Sequence, residues 1–311
     1  MPIQTLENEV WKLSVAPGVG ASVAGLWVKV GGAWEPLLRE TPPEAVGKGS
    51  ASPFSSFTLA PFSNRIKDAT FTFRGESYKL RAEKDGNTKH GDVRSRPWEL
   101  LHADELSVEC GLKTQDFENF NFPFPFVITV SYRLEDERLE TRLRLTNTGE
   151  RDMPAGLGLH PYFQRQLAGS EEVALQFTAA AHYVLDNDKL PTGELIRPSG
   201  KVDFRKGKVV GDTELDDLYQ GWSEPVILHY PGVGNVELSA DPVFSHLVVF
   251  TAQDGSLAVE PVTHATDGFN LRSRGFGGSG VRVLAPGEVL GGSVWLKFKE
   301  ERRGKKQQDT R

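Results

Sequence analysis

The residues of this sequence that are best suited to chemistry lie in four short clusters at turns or strand ends. The first is Pro61–Ile66 (PFSNRI), in which Arg65 could present a rigid fork of donors to hydroxyls or carboxylates. The second is Lys89–Asp92 (KHGD), in which Gly91 allows a close backbone approach beside the imidazole of His90. A structural role for each side chain remains the alternative.

The third cluster, Gly156–Phe163 (GLGLHPYF), leads an apolar strand to a histidine. Pro161 biases His160 towards an extended backbone, so we expect its ring to project at a strand end. Aromatic faces such as Tyr162 beside a polar donor suit sugars, which have one apolar C–H face and a rim of hydroxyls. A hydrogen-bonded core histidine is the alternative.

The fourth cluster, Leu257–Thr263 (LAVEPVT), places Glu260 at the end of an apolar strand. A partly desolvated carboxylate there would have a raised pKa, which suits a general base. A strand-end glutamate paired with a structural arginine is the alternative. The acidic pair Asp216-Asp217 is a lesser candidate. His90, His160 and Glu260 lie far apart in the chain, so only the fold can bring them together.

The elements that must position these clusters are predicted to be β-strands. Glycine (32 residues) and proline (19 residues) recur at short intervals between segments that alternate apolar and polar residues. Segments 127–134 and 139–145 predict a hairpin, with the leucines of the second strand on one face and its arginines on the other. Further hairpins are expected near 231–235, 254–255 and 286–288. Helical periodicity is nearly absent, which favours an all-β sandwich or barrel.

Composition narrows the function classes. Lys+Arg 36 against Asp+Glu 42 gives a net charge of −6, which argues against nucleic acid as a partner. One cysteine, Cys110, excludes an internal disulfide and a cysteine-clustered zinc site. No apolar run approaches the roughly 18 residues of a membrane helix, and the first residues lack a secretion-signal pattern. We therefore expect a soluble, cytoplasmic protein without a membrane partner.

Taken in order, the clusters and the motifs between them resemble the aldose 1-epimerase (galactose mutarotase) family. The resemblance covers residues 10–298 and implies a large, strongly twisted antiparallel β-sandwich in one domain, residues 1–299, with the sugar in an open cleft across one sheet. Residues 300–311 are expected to form a disordered polar tail. The matching motifs are Pro61–Ile66, Phe73-Arg74-Gly75, Tyr78-Lys79-Leu80, His90-Gly91 with Trp98, Leu159–Phe163, Leu215–Tyr219 and Val259-Glu260-Pro261.

The resemblance also implies roles. Glu260 would be the general base and His160 the general acid of a reaction that opens and recloses the sugar ring, with no cofactor and no metal. Asp216 is preferred to Asp217 because the aspartate of the family directly follows an apolar residue, here Leu215. The residues assigned to the sugar hydroxyls are Arg65, His90 and Asp216, together with Asn64 and Tyr162.

The predicted function is therefore an aldose 1-epimerase that acts on a free hexose or related sugar, as a monomer or homodimer. Pro261-Val262 and Asp92 depart from the family pattern, so galactose specificity does not follow. A hexose-6-phosphate mutarotase stays open because four cations lie nearby in sequence: Lys67, Arg74, Arg94 and Arg96. A non-catalytic carbohydrate-binding protein is a second alternative. A metal hydrolase with two histidines and a glutamate is a third, though no close-spaced histidine pair supports it.

Overall fold

A computed structural model describes residues 1–222 and 225–301. Nearly half of these residues form short antiparallel strands, as the spacing of glycine and proline predicts. The strands of the first half are β1 (Gln4–Glu7), β2 (Trp11–Ala16), β3 (Ser22–Val30), β4 (Ala33–Pro36), β5 (Thr58–Leu59), β6 (Arg65–Ile66), β7 (Thr70–Phe73), β8 (Glu76–Lys79), β9 (Thr88–Lys89), β10 (Glu99–Ala103), β11 (Ser107–Lys113), β12 (Phe126–Glu135) and β13 (Arg138–Asn147).

The second half continues the pattern. Its strands are β14 (Met153–Ala155), β15 (Gly158–Leu159), β16 (Tyr162–Phe163), β17 (Ala174–Gln176), β18 (Ala181–Leu185), β19 (Pro191–Ile196), β20 (Lys208–Val209), β21 (Asp216–Gln220), β22 (Val226–Tyr230), β23 (Gly234–Ala240), β24 (His246–Thr251), β25 (Leu257–Val262), β26 (Arg282–Leu284) and β27 (Val289–Glu300). Helix α1 (Gly268–Ser273) and short 3₁₀ turns lie between strands. None of the described helices is long and apolar enough to span a membrane.

Two large sheets dominate the fold, and the all-β antiparallel sandwich prediction is confirmed. A 9-stranded sheet has the order β10-β11-β12-β13-β27-β23-β22-β17-β20. An 8-stranded sheet has the order β19-β18-β21-β24-β25-β15-β5, and β16 also pairs with β25. A 4-stranded sheet, β1-β2-β3-β4, and three two-stranded sheets complete the described part of the chain.

The central hairpin shows why the sequence folds this way. In β13, Leu139, Leu143 and Leu145 are buried, whereas Arg142 and Arg144 are exposed. Successive side chains of a strand point to opposite faces, so this alternation gives the 9-stranded sheet one apolar face for the core. The predicted pairing of 127–134 with 139–145 is confirmed by the β12–β13 register.

The other predicted hairpins have different outcomes. Turns near 231–235 and 254–255 join paired neighbours, β22 with β23 and β24 with β25. The turn at 286–288 does not close a hairpin: β26 pairs with β14, and β27 pairs with β13. That hairpin prediction is wrong because a turn signal fixes where the chain bends but not which strand its flanks pair with.

The 8-stranded sheet is buried on both faces, unlike the hairpin above. On one face, Leu247, Val249 and Val259 pack into the main core between the large sheets. On the other, Val248 and Ala258 pack in a second apolar cluster with aromatic residues of segment 54–57 and Tyr162. The candidate site lies on this second face.

The C-terminal strand runs one residue into the predicted tail. β27 ends at Glu300, and the Glu301 N–H donates to the Val233 carbonyl at 2.8 Å. Residues 302–311 lie outside the described residues, so disorder of the tail stays a prediction.

Candidate active site

Strand β25 and the chain around His160 bring the predicted acid and base together. Gly158 pairs with Val262, and Tyr162 pairs with Ala258, so the His160 turn runs antiparallel beside Glu260. The His160 N–H donates to the Phe57 carbonyl at 3.0 Å, which fixes the turn from its other side.

The two turns that carry Asn64, Arg65 and His90 also meet. β6 pairs with β9, with Arg65 opposite Lys89. The His90 N–H donates to the Asn64 carbonyl at 2.8 Å, and the Asn64 N–H donates to Nδ1 of His90 at 3.2 Å. Asn64 (φ 53°) and His90 (φ 62°) both adopt left-handed conformations that cost energy for residues other than glycine. Reciprocal hydrogen bonds hold them there.

Steric constraints explain why position 91 is a glycine. Its φ is +71°, and a Cβ atom would lie 1.7 Å from the Ala60 carbonyl oxygen. The close backbone approach expected from the sequence is present, and it locks the His90 turn against the Pro61–Ile66 cluster.

Strand alternation separates the two neighbouring aspartates. Asp216 pairs with Phe250, which pairs with Ala258, so Asp216 shares a face with Glu260. A carboxylate oxygen of Asp216 lies 3.8 Å from a guanidinium nitrogen of Arg65. Asp217 points to the opposite face, where it lies 2.8 Å from Nε2 of His182.

The acid–base pair is the most buried part of the site. Nε2 of His160 lies 3.3 Å from Oε1 of Glu260 and 3.3 Å from the hydroxyl of Tyr162. His160 is 4% exposed and Glu260 is 2% exposed. Within the described residues, Nδ1 of His160 and Oε2 of Glu260 are buried and have no hydrogen-bond partner. Buried polar atoms nearly always have a hydrogen-bond partner, so two unpartnered atoms in one site point to a chemical role.

Burial sets the ionisation of this pair. Burial, with a smaller contribution from Asp216, raises the pKa of Glu260 well above its usual value. Burial, reinforced by the positive charges of Arg39 and Arg94, lowers the pKa of His160 well below its usual value. Both directions favour the neutral forms, so near neutral pH the two side chains hold one proton between them.

Two aromatic rings contact His160, and they also lie near each other, 6.4 Å apart between centroids. Its ring stacks on Tyr162 at 4.4 Å with an interplanar angle of 18°, and it lies 4.8 Å from the ring of Phe57. The guanidinium of Arg39 lies 3.4 Å from the centroid of Tyr162, and that of Arg94 lies 5.8 Å from the centroid of Phe57.

The rim of the site is more open. The side chains of Arg65 and Asp216 are 24% and 22% exposed. Burial raises the pKa of Asp216, and the charge of Arg65 opposes that shift. Burial, together with the charge of Arg94, lowers the pKa of His90 well below its usual value, so a neutral imidazole faces the site. The rim therefore offers both donors and acceptors to hydroxyl groups.

All seven site residues predicted from the sequence meet on one face of the 8-stranded sheet or at the turns beside it. Contacts among them join Arg65 to Asn64 and Asp216, Asn64 to His90, His90 to His160, and His160 to Tyr162 and Glu260. Their individual roles stay predictions.

Asp92, which departs from the family pattern, and His264, two residues after the departure at Pro261-Val262, both have structural roles beside the site. The carboxylate of Asp92 accepts hydrogen bonds from Arg96 at 3.1 Å and from the Asn121 N–H at 3.0 Å, so it anchors a neighbouring loop. Nε2 of His264 accepts from the Ser63 N–H at 3.0 Å and thereby supports the turn that carries Asn64.

Sequence reasoning missed several supporting residues. It gave no role to His264, Phe57 or Arg39. Their positions are distant in the chain from His160 and follow no motif, so only the fold reveals their contacts. Among residues 1–222 and 225–301, no group of three histidine, cysteine or acidic side chains is placed to hold a metal ion.

Comparison with known proteins points to one family. The family described as aldose 1-epimerase matches residues 2–297. The uncharacterized protein YphB of Escherichia coli K12 is 26% identical over 306 residues, 93% of this chain and 96% of that protein. An aldose 1-epimerase of the same organism is 26% identical over 74% of this chain and 69% of its own length. A galactose mutarotase of Sus scrofa is 28% identical over 51% and 47%.

Solved structures share the fold. A galactose mutarotase-like protein from Clostridium acetobutylicum superimposes with a TM-score of 0.83 at 21% identity, covering 96% of this chain and 95% of that chain. An aldose epimerase homologue from C. elegans gives a TM-score of 0.83 at 18% identity, covering 96% and 99%. Identities this low establish the fold alone.

Proposed function

This chain belongs to the aldose 1-epimerase family, and from that membership we propose that it interconverts the α and β anomers of a free hexose or related aldose. The observation that carries the proposal is the buried pair of His160 and Glu260, 3.3 Å apart, with an unpartnered polar atom on each side chain within the described residues. Such a pair can take one proton and give another in a single step.

The reaction requires two proton movements. The hydroxyl proton on C1 of the sugar passes to Glu260, and the ring oxygen receives a proton from His160 as its bond to C1 breaks. The C1–O1 bond becomes the carbonyl of an open-chain aldehyde. Rotation about C1–C2 and attack on the other carbonyl face, by the hydroxyl formed from the ring oxygen, give the other anomer with both proton transfers reversed. Atoms and electrons balance without a redox step.

The shared proton can serve either direction of this cycle. In the free protein, burial favours the proton on Glu260, whereas ring opening as written starts with it on His160. Both states hold one proton in total, so they differ only by transfer between Oε1 and Nε2. Because the pair carries no net charge in either form, its burial avoids the cost of an isolated buried ion.

The residues at the rim of the site are placed to bind the sugar hydroxyls. Arg65 is a planar donor, and Asp216 is an acceptor at 3.8 Å from it, so the pair can bridge neighbouring hydroxyls. His90 lies 5.2 Å from His160 between ring centroids, which suits a contact near the ring oxygen of the sugar. The hydroxyl of Tyr162 lies 3.3 Å from Nε2 of His160 and adds a further polar group beside them.

The hexose-6-phosphate alternative is less well supported. Three of the four cations that kept it open are paired with carboxylates: Arg74 with Asp152, Arg94 with Glu83 and Arg96 with Asp92. A phosphate would have to compete with these partners, so we favour an uncharged sugar.

A purely sugar-binding role is also disfavoured. Leaving polar atoms of His160 and Glu260 buried without partners costs stability, typically about 1–3 kcal/mol for each group. Binding alone could be achieved at the half-exposed rim, without that cost. Chemistry is the better reason for such a pair.

Polarimetry tests the proposal. Freshly dissolved α-D-glucose and α-D-galactose are followed with wild type, Glu260→Gln and His160→Asn. We expect wild type to accelerate mutarotation of at least one sugar, and each variant to lose most of that acceleration, about 10²–10⁴-fold, because each removes one proton-transfer group.

Hexose 6-phosphates run in parallel separate the two enzymatic alternatives. Acceleration confined to the phosphorylated sugars would favour the phosphosugar enzyme. An unchanged rate in either variant would contradict the role assigned to that residue, and no acceleration of any sugar would contradict the proposed activity itself.

A further inference from the structure

Arg39 lies outside every motif that the sequence analysis singled out, yet it is firmly anchored beside the acid–base pair. Its guanidinium donates to the carboxylate of Asp254 at 2.9 Å, to the carbonyl of Phe54 at 3.0 and 2.9 Å, and to the carbonyl of Ser52 at 2.5 Å. Every arm of the guanidinium is therefore engaged, and the plane of the group is fixed 3.4 Å from the centroid of Tyr162.

The rings beyond it form a compact cluster, in which Tyr162 stacks on His160 and Phe57 contacts both. Tyr162 lies 4.4 Å from His160, His160 lies 4.8 Å from Phe57, and the guanidinium of Arg94 lies 5.8 Å from the centroid of Phe57. A catalytic histidine is commonly oriented by a hydrogen bond to its second nitrogen. Here Nδ1 of His160 has no such partner within the described residues, so the packed rings and the contacts of Nε2 hold the imidazole instead.

We propose that Arg39 is a positioning residue for His160: through Tyr162 it holds the plane of the imidazole ring, and its charge disfavours a second proton on the His160–Glu260 pair. This role rests on the proposed function. Arg39 acts through Tyr162 and is assigned no contact with the sugar.

The charges around His160 support the electrostatic half of this role. His160 contacts Glu260 from β25, Tyr162 and His90, and the charges of Arg39 and Arg94 act on it. The charges of Asp216 and Arg65 act on Glu260 in opposite directions. After burial, Arg39 and then Arg94 lower the pKa of His160. The positive charges therefore keep the pair at one proton over a wider range of acid pH.

The direction in which the pH profile moves follows from the charge that is removed. Activity requires one proton on the pair, so the acid limb of the pH profile is the gain of a second proton, and the alkaline limb is the loss of the last one. Removing the positive charge of Arg39 stabilises both the singly and the doubly protonated form of the pair, which raises both of its pKa values. Both limbs then move to higher pH, by about one unit for a like charge removed at this range.

Three variants separate stacking from charge. Arg39→Gln removes both and is expected to move both limbs upward and to lower kcat. Arg39→Lys keeps the charge but loses the planar group, so the limbs should stay in place while kcat falls about tenfold from misplacement of His160, with KM little changed. Arg138→Gln is the matched control, because Arg138 is also paired with a carboxylate, Glu135, but lies on the other large sheet.

A measurement without turnover distinguishes failure of this role from failure of the proposed function. The C2 proton of His160 is titrated by NMR, with its signal assigned by comparison with His160→Asn. We expect its apparent pKa to rise in Arg39→Gln and not in Arg138→Gln. Should Arg39→Gln fail to fold by circular dichroism, Arg94→Gln tests the same charge effect from a second cation, the one beside Phe57.

Equal pH profiles and equal NMR titrations in Arg39→Gln and Arg138→Gln would overturn the proposal. A full kcat in Arg39→Lys would overturn its stacking half. An inactive wild type with a shifted His160 titration in Arg39→Gln would contradict the mutarotase activity and leave the electrostatic role of Arg39 supported.

Discussion

Two histidine–carboxylate pairs lie on opposite faces of the same sheet. His160 and Glu260 face the candidate site at 3.3 Å, and His182 and Asp217 face the interior at 2.8 Å. Both pairs are nearly closed to solvent, and each contains a histidine whose Nδ1 is buried without a partner among the described residues. Residue type and burial therefore do not distinguish a site from a structural contact.

What differs is what surrounds each pair. Around His160 lie Asn64, Arg65, His90 and Asp216 at the rim, all able to meet hydroxyl groups. His182 lies beside Tyr219, at 5.2 Å between ring centroids, and the hydroxyl of Tyr219 donates to the backbone of Val202. One pair has a polar rim and the other has a packed interior, so the comparison teaches that the neighbours decide the role.

The largest expected effect concerns non-additivity. The double variant His160→Asn/Glu260→Gln should lose about as much kcat as the worse single variant, within the 10²–10⁴-fold range of one proton-transfer group, because both residues act on one step. The interior double variant His182→Gln/Asp217→Asn should keep kcat near that of wild type while it unfolds at a lower temperature. Steady-state kinetics and thermal unfolding measure the two outcomes.

If the kcat losses of His160→Asn and Glu260→Gln multiplied in the double variant, the two groups would act on separate steps. A large kcat loss in the interior pair would erase the distinction between the two pairs.

An intermediate effect is expected from two adjacent residues. Asp216→Ala should lower kcat/KM about tenfold or more, because it removes a hydroxyl acceptor and frees Arg65. Asp217→Ala should lower the free energy of unfolding by about 1–3 kcal/mol, because it leaves His182 buried without its partner, and kcat/KM should stay near the wild-type value. Each variant is the control for the other, measured by kinetics and by urea unfolding.

The reverse assignment, with kcat/KM lost in Asp217→Ala and retained in Asp216→Ala, would contradict the strand alternation argument.

The smallest effect is a change in the pH dependence of stability, and it concerns a buried histidine that is not paired with a carboxylate. His246 bonds to the hydroxyls of Tyr183 and Ser245 at 3.0 and 2.9 Å, and burial lowers its pKa to about 3. A lowered folded pKa means that the unfolded chain binds the extra proton first, so stability falls as pH drops below the unfolded value. At pH 5 this costs about 2 kcal/mol relative to neutral pH.

His246→Gln should therefore show a smaller loss of stability between pH 7 and pH 5 than wild type, even though its stability at pH 7 is lower. Urea unfolding at the two pH values measures both. An equal loss in the two proteins would show that His246 does not titrate as its burial implies.

Some features of the fold and site were open to prediction. Alternation in β12 and β13 sets one apolar face, and turn residues set most strand ends, so the all-β architecture follows from local patterns. The hairpin predicted at 286–288 does not form, because the strands on either side of that turn pair with strands that are distant in the sequence. Helix α1, six residues long, is too short to give a periodic signal.

The sequence by itself determined which residues could do chemistry and in what kind of fold. His160 before a proline, Glu260 at the end of an apolar run and Arg65 in a turn are local features, and their order resembles one family. Nothing in the chain's order states that positions 65, 90, 160, 216 and 260 meet.

Tertiary structure alone decided the rest. β pairing placed His160 beside Glu260, alternation turned Asp216 outward and Asp217 inward, and packing set Arg39 against Tyr162. Burial then shifted the ionisation of the pair, because a charge loses its water only when the whole chain has folded around it.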